Sequence, residues 1–209
     1  MPSPLILLPG MGADARLHAR LRTRGPIRAL DWPPFKPHWR LADYAAEIVQ
    51  RAEIAPGALI GGTSMGGMVA LEIARQVSVS RVLLISSCNA REQVAKILLR
   101  LSPLAPLVPF EVAALTPRVP GLRPHRREVV EMAHRADPSF LRWCFREIAA
   151  WRGYHGDRSF IRQIHGSADR VLPVRHQRPD TVVPGAGHLM VMTHARAVSA
   201  FIDSVTPLV

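Results

Sequence analysis

Lysine is almost missing from this chain. Only two of its 27 basic residues are lysine and 25 are arginine; against 16 acidic residues the net charge is +11. Such a balance invites a nucleic-acid reading, because clustered arginine pairs with phosphate. The arginines are dispersed, however, rarely more than two together, and aromatic residues make up only 6% of the chain with no basic stripe for them to interleave. No nucleic-acid partner is expected, and the charge is read as serving solubility. Cysteine is scarce too. Cys88 and Cys144 lie far apart among apolar residues, which favours buried free thiols over a disulfide and makes no metal site. Long apolar runs are also lacking: none approaches the roughly 18–20 residues needed to cross a bilayer, so no membrane association is expected. The stretch Pro4–Leu8 is too short for a signal-peptide core and follows no basic residue, so a cytoplasmic location is the expectation.

What is present is an ordinary globular balance, 48% apolar and 21% charged over 209 residues, without repeats or a long linker. At about 100–200 residues per domain, that fits one compact unit. Short apolar runs alternate with helical periodicity, which predicts an α/β fold with a mostly parallel sheet. Strands are expected at 5–8, 28–32, 58–61, 81–86, 160–164 and 181–183, and helices at 41–54 and 65–76. Thr193 is expected to cap a last helix. Residues 90–153 break the pattern: prolines recur at 103, 106, 109, 117, 120, 124 and 138, between short helical patterns. Asp137-Pro138 reads as an N-cap and first-turn pair, followed by an apolar stripe of Leu141, Cys144, Phe145 and Ile148. The expected division is therefore a core of 1–89 and 154–209 with a helical insertion at 90–153.

The informative pentapeptide is Gly62-Thr63-Ser64-Met65-Gly66, placed between a predicted strand and a predicted helix. There a serine is held in a sharp turn with its hydroxyl above the strand ends, and the glycines let strand and helix approach. Serine is a weak nucleophile alone; it needs a base, and the base needs an orienting acid. The chain order Ser, Asp, His is met by Ser64, by Asp169 in the loop after one strand, and by His188 in the loop after the next. Both loops leave strand C-termini, the edge at which open α/β sheets build sites. Two backbone amides should hold the oxyanion, Met65 after the nucleophile and Met11 in the turn Pro9-Gly10-Met11-Gly12.

These motifs resemble the α/β-hydrolase superfamily over nearly the whole chain. The resemblance implies a three-layer α/β/α sandwich of about six parallel strands, with Leu5–Leu8 standing where the family has its third strand. It also implies a nucleophile elbow at Ser64, an acid loop at Asp169, a histidine loop at His188 and a helical cap at about 90–153. It implies hydrolysis without metal or organic cofactor. One departure is Pro9-Gly10, where many members have His-Gly.

Rivals for these roles exist. Asp157 precedes a strand and Asp180 begins one, so neither sits as naturally at a strand end as Asp169. His165 and His194 read better as local packing or hydrogen-bonding residues than His188 does. Met11, Met65, Met68, Met190 and Met192 all flank the site in sequence. Methionine is usually core filling, and the alternative is a flexible acyl pocket. Trp143 carries the same two readings; with Gly10 and Met190 it is a candidate for substrate contact. The reaction expected is carboxylic-ester hydrolysis on a small-molecule substrate. A thioesterase is the alternative, because residues 91–153 carry eleven basic and six acidic side chains that could attract an acidic carrier protein. A catalytically idle fold that binds a ligand is the reading from another class.

Overall fold

The computed structural model describes residues 4–94 and 124–206. Residues 95–123, and with them the prolines at 103, 106, 109, 117 and 120, lie outside the described residues.

Six parallel strands form one sheet in the order β2-β1-β3-β4-β5-β6. They are β1 (Leu5–Leu8), β2 (Ile27–Ala29), β3 (Leu59–Thr63), β4 (Arg81–Ile85), β5 (Ile161–Gly166) and β6 (Thr181–Val183). The central strands are apolar at consecutive positions because both faces are covered. Alternation then sorts their side chains. Ile6, Leu8, Ile60, Val82 and Leu84 face one core with α1 (Leu41–Ala52) and α2 (Met65–Ala74). Leu5, Leu7, Leu83, Ile85 and Ile164 face a second core with α5 (Met190–Thr193) and α6 (Ala195–Val205). The register pairs Leu8 with Gly62 and Thr63 with Ile85, so the C-terminal ends of the central strands share one edge.

Between β4 and β5 the described residues form α3 (Pro124–Arg135) and α4 (Pro138–Ala150). Asp137 caps α4, its carboxylate accepting the Ser139 amide, with Pro138 opening the helix as the sequence predicts. Phe140, Trp143 and Cys144 of α4 join the core on the α1 and α2 side. Both cysteines are free and buried, and burial pushes the Cys88 thiol up to about 12.

Most boundaries lie within one or two residues of expectation, and two departures go further. Thr193 does not cap the last helix: its hydroxyl donates back to the Leu189 carbonyl, closing the separate turn α5, and His194 stands at the α6 N-cap. The strand predicted at 28–32 is shorter and earlier, because the Asp31 carboxylate turns aside to accept the Ala15 amide. Among the described residues no helix is long and apolar enough to cross a membrane, and no group of three metal-ligating side chains occurs.

Candidate active site

Ser64 sits between β3 and α2 with φ 54° and ψ −120°, a strained backbone for a residue with a side chain, worth on the order of 1–3 kcal/mol. The surroundings impose it. Its N–H donates to the Ile85 carbonyl, and its own carbonyl accepts the Gly67 amide and the Ser87 hydroxyl. A Cβ at Gly62 would lie 2.3 Å from the Gly66 carbonyl carbon, and one at Gly66 would lie 2.4 Å from the Leu8 oxygen. Only glycine at both positions lets helix and strand meet so closely.

Asp169 and His188 come from the loops after β5 and β6, and backbone contacts join the two loops. Ala168 N–H donates to the Ala186 carbonyl, Ser167 N–H to Val183, and Gly185 N–H to the Ser167 hydroxyl. The result is a continuous chain. His188 Nε2 lies 3.0 Å from Ser64 Oγ, and His188 Nδ1 lies 2.8 Å from Asp169 Oδ2. The Asp169 side chain has no solvent exposure, while His188 keeps 17%. Burial alone would raise the Asp169 carboxyl, but hydrogen bonds from His165 and His188 outweigh it and hold the group well below the usual carboxylate range. An ionised acid against Nδ1 directs the lone pair of Nε2 toward the serine hydroxyl.

A cavity of about 200 Å³ opens beside Ser64, walled by Met11, Met68, Val94, Phe145, Ile148 and Leu172. Its described lining is apolar apart from the serine. Phe145 and Ile148, expected only as part of a core stripe, instead turn to this cavity from α4. Their periodicity placed them on one face without showing that the face overhangs Ser64. Gly10 runs close by, and a Cβ there would sit 3.6 Å from Ser64 Cβ.

Two candidates for substrate contact lie elsewhere. Met190 is fully buried in the core beneath α6. Trp143 stacks on Phe140 at 5.6 Å and 15°, meets Tyr44 edge-on, and donates its indole N–H to the Trp39 carbonyl. Both fill core, because the sheet and α1 present apolar surface that α4 and α5 must cover. The rival residues are placed as well. Asp157 accepts from Ser159, and Asp180 accepts the Gln163 amide. His165, read from sequence as a local hydrogen-bonding residue, reaches Asp169 itself.

The sequence profile of the Alpha/beta hydrolase family matches residues 5–201. No curated protein matches the sequence. Solved structures match it in fold. A thermophilic esterase from Thermogutta terrifontis is 18% identical, over 99% of this chain and 92% of that one, with a TM-score of 0.70. The N-acyl homoserine lactonase AidH is 17% identical, over 100% and 92%, with a TM-score of 0.72. An enol-lactonase from Burkholderia xenovorans LB400 is 16% identical, over 98% and 92%, with a TM-score of 0.69. At such identities the likeness is one of fold.

Proposed function

The chain belongs to the alpha/beta hydrolase family, and from that premise we propose that it is a serine hydrolase acting on carboxylic esters. The observation that carries this reading is the unbroken hydrogen-bond chain from Ser64 through His188 to Asp169. In the proposed reaction His188 Nε2 takes the Ser64 proton as Oγ bonds to the substrate carbonyl carbon. The same histidine then gives that proton to the departing alkoxide, leaving an acyl-serine. Water, deprotonated by His188, attacks the acyl carbon and returns Ser64. Asp169 remains ionised throughout and stabilises the imidazolium.

The tetrahedral oxyanion is assigned to the amides of Met65 and Met11. Met65 is the first residue of α2, where helical geometry leaves the N–H without an intrahelical acceptor. Met11 lines the Ser64 cavity and follows Gly10, whose approach to Ser64 Cβ brings that turn alongside. The apolar cavity is proposed to receive the acyl group. At roughly 30 Å³ for a water-sized group, its volume of about 200 Å³ suits a short to medium chain. Residues 90–153 are proposed to act as a cap, since α4 supplies Phe145 and Ile148 to that cavity. The same machinery would serve a thioester.

The test is labelling with a fluorophosphonate, followed by intact mass, on wild type, Ser64→Ala and His188→Ala. A single adduct on Ser64 in wild type and none in either variant is expected. A folded wild-type protein that takes no label would overturn the reading in favour of a ligand-binding role.

A further inference from the structure

Two histidines share the carboxylate of Asp169, and the reaction above uses one. His165, near the end of β5, is completely buried, with Nε2 2.6 Å from the Leu172 carbonyl and 3.2 Å from Asp169 Oδ2. Both neighbours are acceptors, a carbonyl and an ionised carboxylate. Nε2 therefore carries a proton: it donates to the Leu172 carbonyl, with Asp169 Oδ2 at ion-pair distance beside it. Nδ1 is buried with no hydrogen-bond partner among the described residues. A residue that merely filled this space would be better apolar, because an unsatisfied buried nitrogen is unfavourable. The polar contacts of this imidazole are made at its other edge.

The two oxygens of Asp169 divide their donors. Oδ1 accepts the backbone amides of Val171 at 2.8 Å and Leu172 at 2.9 Å. Oδ2 accepts His188 Nδ1 and faces His165 Nε2. Leu172 thus gives its N–H to Asp169 while its carbonyl is held by His165. The loop, the acid and the second histidine close one ring of contacts, with no water-exposed edge on the carboxylate.

We propose that His165 is a positioning residue for Asp169. Its Nε2–H fixes the plane of the carboxylate so that Oδ2 meets His188, and it draws off part of the negative charge that His188 would otherwise face alone. The catalytic meaning of this rests on the serine-hydrolase reading; the geometry does not. Among the described residues, the titratable groups in hydrogen-bond contact with Asp169 are His165 from β5 and His188 from the loop after β6, and His188 meets Asp169 and the Ser64 hydroxyl. Removing the Nε2–H leaves more charge on Oδ2, which strengthens the hydrogen bond it accepts from His188 Nδ1–H. It also loosens Oδ2, the oxygen that meets His188, while Oδ1 stays on the Val171 and Leu172 amides, lowering kcat with little change in KM.

The test is ¹⁵N NMR of the histidine rings, which needs no turnover. In wild type, His165 is expected as the Nε2–H tautomer; finding the proton on Nδ1 alone would sink the proposal without any variant. In His165→Phe, the His188 Nδ1–H proton resonance is expected to move downfield, as a stronger hydrogen bond to Oδ2 requires, and kcat to fall roughly ten- to hundredfold. His165→Gln retains a side-chain N–H and should bring both back toward wild type. A folded His165→Phe protein with an unmoved His188 Nδ1–H resonance overturns the proposal, as does a folded His165→Gln protein whose resonance lies no closer to wild type than that of the Phe variant. Failure of the hydrolase reading looks different: Ser64 takes no label and no ester turns over, yet His188 still responds to His165.

Discussion

A second buried imidazole ties stability to pH one residue away from the nucleophile in contact terms. His18 is buried, its Nε2 3.1 Å from the hydroxyl of Thr63, the residue before Ser64. Burial lowers its pKa to about 4 from an ordinary 6.5. The folded protein therefore resists a proton that the unfolded chain accepts. As pH falls from about 6.5 to about 4 the unfolded state binds the extra proton, and stability declines across that window. The full loss is on the order of 3 kcal/mol. Urea unfolding at intervals between pH 7 and 4 should show this slope in wild type, and His18→Gln should flatten it. An equal slope in the variant would assign the pH dependence to other groups. The sequence marks His165 as a local packing or hydrogen-bonding residue without showing that it reaches Asp169, and does not single out His18 at all. Nine histidines look alike in a string, and which ring nitrogen meets which acceptor is decided by side-chain direction. Ser64, Asp169 and His188 were legible because each is marked by its position at a strand end, which apolar patterning does reveal.

At the scale of elements, the strand–turn–helix around Ser64 depends on two glycines whose missing side chains are replaced by backbone. Gly66 is the stricter test, since an added Cβ would meet the oxygens of both Leu8 and Pro9 at 2.4 Å. Backbone from β1 cannot retreat without disturbing its pairing with β3. Gly66→Ala is expected to cost about 3 kcal/mol or more, lowering the melting temperature by roughly 6–12 °C for a domain of this size. Gly25→Ala is the control, because its Cβ would meet nothing within 4 Å. That change should leave the melting temperature unchanged or slightly raised. Calorimetry on the two variants separates the glycine that packs from the one that merely turns. Among the elements, β1 and β6 fall where the sequence predicts them and β4 within one residue, while β3 and α2 are shifted by one or two residues at their ends. The ends of α6 and β2 were misjudged because they are set by particular hydrogen bonds. Thr193 looks like a cap by residue type, yet it lies inside the preceding turn, where its hydroxyl donates to the Leu189 carbonyl, and His194 takes the N-cap position.

At the scale of the molecule, the question is how firmly α4 is fixed over Ser64, since it supplies Phe145 and Ile148 to the cavity. Its anchor is polar and buried. Glu147 is only 2% exposed, accepts the Leu41 amide at the start of α1 through Oε2, and meets Arg40 at 3.4 Å and Arg146 at 3.1 Å. Four residues on, the Trp151 indole donates to Glu72 of α2, and Arg75 donates to the Gly153 carbonyl. These contacts join α4 and the chain after it to both helices on that face of the sheet. This end of the insertion is pinned at three points. Glu147→Ala strips the acceptor from a buried backbone amide, while the two arginines it leaves are half-exposed or more, and is expected to cost about 3 kcal/mol. Glu147→Gln keeps an acceptor for Leu41 while losing the charge, so it should cost about 1–3 kcal/mol. Urea denaturation of both variants checks the order. Two equal losses would mean that the arginines, rather than the Leu41 amide, hold the helix down. If α4 is the wall of the acyl cavity, Glu147→Ala should also flatten the preference of the enzyme among p-nitrophenyl esters of different chain length, because a loosened wall no longer sets the space that the acyl group fills.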